Sequence, residues 1–195
     1  YEQVYNIEKE GVWGRGGIVA VYGAGAIIGL IIGTRLSDRT IARGDFPRLA
    51  VLGGITLVSV GTTLLLMAVA PWLGLSILFT FLVGVTGSGF NAYHLPLVAL
   101  VGPPRLRSQA LGWTGFWFAL GAILLSSVIS DIGDNEGYRL AIGLLSVMVI
   151  VTGFIYMSAK RFISRDIQQA FQTLSTEIEL KQELAQQGER ALLTC

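Results

Sequence analysis

The sequence predicts an all-α protein: a polytopic transmembrane helical bundle of about five spans, with a cytoplasmic C-terminal helix. Three observations predict it. Of 195 residues, 52% are hydrophobic and only 14% charged, against about 25% charged in ordinary soluble domains; the mean hydropathy is +0.63. The charges sit in short islands between apolar runs long enough to cross roughly 30 Å of hydrocarbon at 1.5 Å per residue. The basic residues of those islands also fall mainly on one side if every run crosses, as cytoplasmic loops require.

Taken in order, residues 1–15 are mixed polar and aromatic and read as an extracytoplasmic loop or the end of a preceding helix. Tyr1, Tyr5 and Trp13 suit the aromatic belt at headgroup level. Residues 16–160 read as the bundle, with spans at about 16–34, 49–70, 75–101, 109–130 and 138–159. The first span carries Gly25, Gly29 and Gly33, spaced by four along one helix face. That small-xxx-small spacing lets a second backbone approach closely in lipid. A basic turn follows, with Arg35, Arg39, Arg43 and Arg48 around Asp38 and Asp45.

The second span stops at Pro71-Trp72, and a tight turn around Gly74 leads into the third. The third is polar and loosened in its middle, with Gly84, Gly87, Ser88, Gly89, Asn91, His94 and Pro96; Pro103-Pro104, Arg105 and Arg107 close it. The fourth is rich in glycine and aromatics, including Trp113 and Trp117, and ends in an acidic loop of Asp131, Asp134 and Glu136. The fifth is mostly aliphatic and ends at Lys160, Arg161 and Arg165.

Residues 161–195 read as a cytoplasmic helical tail. Ile167, Phe171, Leu174 and Ile178 recur at four-three-four spacing as one apolar stripe. Its apolar face is too narrow and its polar side too neutral for a membrane-surface helix, which would carry Lys and Arg, so the stripe is expected to pack on the bundle or on another domain. Gly188 is the expected stop.

Arg35, Arg39, Arg43, Arg48, Arg105, Arg107, Lys160, Arg161 and Arg165 fall on one side, and Lys9, Arg15 and Arg139 on the other. The expected placement is the plasma (inner) membrane, with the N-terminal end outside and the tail in the cytoplasm. The chain opens at Tyr1 without methionine and closes abruptly on Ala191-Leu-Leu-Thr-Cys195. Both ends read as cuts, and an odd number of spans starting outside implies a further span upstream.

With basic residues explained by topology, a net charge of +1 gives no reason to expect a nucleic-acid partner. One cysteine (Cys195) and one histidine (His94) make neither a disulfide framework nor a metal cluster, and no cofactor is expected. No nucleophile triad, carboxylate pair or Gly-Lys-Ser/Thr phosphate loop is present, so an enzyme is not expected.

The arrangement resembles the C-terminal half of a major facilitator superfamily (MFS) transporter. Leu36-Ser-Asp38-Arg39, after a glycine-rich span and before a basic loop, is similar to the Gly-x-x-x-Asp-Arg/Lys-x-Gly-Arg-Arg/Lys signature as it recurs in that half. Thr34 stands in place of its glycine, Ile41 and Ala42 in place of the later Gly-Arg, and Arg43 keeps the final basic position. Pro103-Pro-Arg-Leu-Arg-Ser-Gln-Ala-Leu-Gly112 resembles the link between the tenth and eleventh helices, and residues 1–17 the outer end of the seventh helix and the loop into the eighth. The resemblance implies that the five spans are helices eight to twelve. It also implies that the first, third and fourth face a midplane cavity around which two halves rock. The partners implied are the bilayer, an N-terminal transmembrane half and a small-molecule substrate; the fragment alone is expected to be incompetent for transport.

Two readings stand for each candidate residue. Asp38, Arg39 and Arg43 form a conformational latch across the cytoplasmic face, as the resemblance implies, or serve only topology. Asn91 and His94, three residues apart and so expected to share one helix face, contact a substrate or a coupling proton, or make hydrogen bonds between helices. Trp113 and Trp117, one turn apart, stack a substrate or anchor the interface. Gly25, Gly29 and Gly33 are packing glycines. Two further functions compete with transport: a membrane module fused to a downstream cytoplasmic domain, and a non-transporting scaffold. For the first, Ala191-Leu-Leu-Thr-Cys195 is similar to the strand opening some ABC-type ATP-binding domains.

Overall fold

The computed structural model describes the backbone of residues 15–102 and 106–193. Among the described residues the chain is helical, in the order α1 (Arg15–Ala42), α2 (Phe46–Val69), α3 (Leu73–Val101), α4 (Arg107–Glu136), α5 (Tyr138–Ser158) and α6 (Lys160–Leu193). The first five are each long and apolar enough to cross a bilayer. They form the multi-pass transmembrane bundle that the hydropathy predicts. Tyr1, Tyr5 and Trp13, the Pro103-Pro104-Arg105 turn, and Thr194 and Cys195 lie outside the described residues.

Two seams hold the bundle. α1 packs chiefly on α3, and α2 packs on α5 and on the back of α3. On the first seam, a Cβ added at Gly25 or Gly29 would run into the carbonyl oxygens of Phe81 and Val85. One added at Gly33 would lie 2.8 Å from the Ala92 Cβ, and Gly84 answers from α3 by opening a place for the Tyr22 carbonyl. The three packing glycines of α1 therefore bring two backbones into contact, where dispersion and close carbonyl approach replace the hydrophobic driving force that lipid removes. The second seam uses Gly53, Gly54 and Gly61 on α2 against Tyr156, Met157 and Ile150 on α5, with Gly153 reciprocating toward Val58.

Hydroxyl groups inside the spans are satisfied within their own helices. Thr56, Ser59, Thr62 and Thr63 of α2 donate to carbonyls three or four residues back, at 2.7–2.9 Å. With no water in the hydrocarbon, that internal pairing is the cheapest arrangement.

Several element ends differ from the sequence expectation. α1 does not stop near Thr34 but continues to Ala42, because Leu36 and Ile41 pack against the core and Ser37 and Thr40 are buried. It ends in a Schellman turn: Gly44, at φ +70°, donates to the Ile41 carbonyl and Asp45 to that of Thr40. Gly74 lies inside α3, and the turn is made by Ala70–Trp72, with Pro71 unable to continue α2. The acidic residues Asp131, Asp134 and Glu136 belong to α4 rather than to a loop. Asn135 caps the Asp131 carbonyl at 2.9 Å, and Gly137, at φ +99°, makes the whole connection to α5.

The tail is also longer than expected. α6 passes Gly188 and includes Ala191–Leu193 as helix, so the strand that suggested an ATP-binding domain is not formed by those residues. Its apolar stripe is only partly used. Ile167 is buried, together with Ile163 one turn earlier, against Leu49 and Ala50 of α2 and Tyr93 and Leu97 of α3. Phe171 and Ile178 remain exposed, and the Leu174 side chain is outside those described. The core of the molecule therefore sits at the end where α6 leaves the bundle.

Candidate functional site

The polar middle of α3 is divided between two directions. Asn91 is exposed. His94 is turned roughly 60° around the helix from it, since three residues advance about 300°, and this carries the imidazole into the bundle. There His94 Nδ1 is hydrogen-bonded to the Tyr156 hydroxyl of α5 at 3.1 Å. The ring stacks on Phe90 at 5.1 Å between centroids and meets Phe118 of α4 edge-on at 5.8 Å. Phe90 in turn meets Tyr156 edge-on at 5.3 Å. Three helices thus close an aromatic box around one imidazole, with geometries favoured by the ring quadrupoles.

Glycine makes room for this box. A Cβ at Gly53 of α2 would come within 2.7 Å of the Tyr156 ring, so the ring occupies the space a side chain there would fill. The other imidazole nitrogen, His94 Nε2, is buried and has no hydrogen-bond partner among the described residues. His94 is in the lining of a cavity of about 370 Å³ that continues between α3, α4, α5 and α6 to Asp166.

The structure does not bring Trp113 and Trp117 into this box. Phe118 is the α4 residue that points at His94, and Trp113 and Trp117 lie roughly 100–140° around the helix from it by the same rotation. Both are 62% exposed and pack on Phe116, at 5.7 and 5.6 Å. α4 is altogether the least enclosed span: none of its most apolar window is buried. Asp38, Arg39 and Arg43 are exposed at the end of α1 and in the turn to α2. The basic turn therefore projects from the bundle close to the core formed with α6.

Sequence reasoning missed Phe90, Phe118 and Tyr156. Tyr156 is the hydrogen-bonding partner of the only histidine, yet α5 reads as an aliphatic span with little in it. The available signal was Gly53-Gly54, a pair able to accept a large ring, but nothing in a sequence says which helix supplies that ring.

The sequence matches the family model of the Major Facilitator Superfamily over residues 13–186. The chain belongs to the major facilitator superfamily. No curated protein and no solved structure is similar enough to match. Members of this family are transporters rather than enzymes, and the chain's function is of the transporter type. As an MFS protein with five apolar spans it sits in a lipid bilayer.

Proposed function

We propose that the chain is the C-terminal half of a secondary transporter that moves a small solute by alternating access, with the bundle rocking against a second transmembrane half. The observation that carries the reading is Asn91, a side-chain amide on a membrane span that is exposed rather than packed. Polar groups at that depth are expensive and persist where they face a cavity, a partner helix or a substrate. In this reading Asn91 contacts the solute. His94, tied to Tyr156, stands behind it in the wall, and Trp113 and Trp117 present aromatic surface on the neighbouring span.

Asp38, Arg39 and Arg43 act as a latch at the cytoplasmic face, pairing with the other half in one state and releasing it in the other. The membrane is the plasma (inner) membrane, with the turn between α1 and α2 on the cytoplasmic side.

The test uses the full-length protein in proteoliposomes, with a solute first identified by its effect on thermal stability. Asn91→Ala is expected to lower uptake at least tenfold with undiminished folded protein, as read by gel filtration. Asp38→Asn is expected to slow uptake while leaving solute affinity unchanged. Unaltered uptake in Asn91→Ala removes the solute contact, and unaltered uptake in Asp38→Asn removes the latch.

A further inference from the structure

The cavity behind the aromatic box faces away from the α1–α3 seam and has a chemistry of its own. His94 and Tyr156 line one end, and Leu97, Val98, Val101 and Ile163 line its walls. From His94 to Gly102, both in the lining, is eight residues of helix, a slot roughly 12 Å long. At about 370 Å³ it lies at the small end of the range for drug-sized ligands.

Two features point to an occupant. At the His94 end, Nδ1 is engaged by Tyr156 and Nε2 is buried, with no hydrogen-bond partner among the described residues. With both imidazole nitrogens withdrawn, this end of the lining presents ring surface, which suits an apolar group. At the α6 end, Phe162 and Asp166 both line the cavity. They are four residues apart on α6 and so share one face. A carboxylate beside an aromatic ring is a pairing suited to an organic cation: the carboxylate supplies charge and the ring face a cation–π contact. Among the described lining residues, Asp166 is the sole carboxylate or fixed charge.

We infer that this slot binds a small lipophilic amine, its ammonium held between Asp166 and Phe162 and its apolar body running along α3 toward His94. The site lies outside the proposed solute contact at Asn91 and stands whether or not that reading holds. By occupying the space between α4 and α6, the amine joins the least enclosed span to the tail helix.

The experiment is a binding titration on the purified full-length protein in detergent. The probe is dansylcadaverine, a lipophilic primary amine that brightens in apolar surroundings, and its N-acetylated form serves as the uncharged control. The amine is expected to bind saturably, and acetylation or Asp166→Asn to weaken it about tenfold each. The acetylated probe should not distinguish Asp166→Asn from the unaltered protein. Ala110→Phe and Val98→Phe, which narrow the slot from two walls, should abolish saturable binding. Equal binding of the two probes to the unaltered protein, or amine binding that survives Asp166→Asn, would overturn the proposal. Because Asp166 lies on the tail helix outside the spans, its replacement keeps the test decisive if either filling variant fails to fold.

Discussion

At the scale of single residues, the glycines separate into those that touch a backbone and those that touch nothing. Gly29 abuts the Val85 carbonyl, whereas a Cβ at Gly23, on the same helix, would meet nothing within 4 Å. Gly29→Ala is therefore expected to destabilise the protein by about 1–3 kcal/mol through overpacking, and Gly23→Ala to stay within about 0.5 kcal/mol. Unfolding of the purified variants in mixed micelles reads both; equal stability would mean that the seam is not as close as described. The contrast also marks what a sequence discloses. Gly25, Gly29 and Gly33 advertise a packing face by spacing alone. His94 and Asn91 were legible as polar groups in lipid, but not as facing different ways. The 60° between them acquires meaning only once Tyr156, 62 residues further on, has been brought alongside.

At the scale of elements, the five spans were readable because hydropathy is a property of each helix alone. Their ends were less so: whether α1 stops at Thr34 or Ala42 depends on the core it meets, and that core is built from α2, α3 and α6. The tail shows the same limit. Its stripe is visible in the sequence, but which residues of it dock is decided by the partner surface. Ile163 and Ile167 are buried at 4% and 3% exposure, and Phe171 is 57% exposed. Ile163→Ala and Ile167→Ala are each expected to cost about 2–5 kcal/mol and Phe171→Ala no more than about 0.5 kcal/mol. Amide hydrogen exchange over α6 distinguishes the two groups: faster exchange in the isoleucine variants supports docking, and uniform exchange in all three contradicts it.

At the scale of the whole molecule, topology rests on charge asymmetry across the bundle. Arg43, in the turn after α1, and Asn135, at the end of α4, are both exposed and lie at opposite ends of the spans if all five cross. In a Cys195→Ser background, an impermeant maleimide is expected to label Asn135→Cys from outside intact cells. Arg43→Cys should be labelled only after the cytoplasm is opened. Labelling of both from one side would refute the orientation.

The α1–α3 seam leaves a mark that a geneticist would meet before a crystallographer. Every missense change at a glycine codon introduces a side chain, so Gly25 and Gly29, whose missing Cβ atoms face carbonyl oxygens, have no mild replacement to drift through. Heritable variation along α1 should therefore fall silent at every fourth codon and resume between them, and escape from that silence requires a second change on α3.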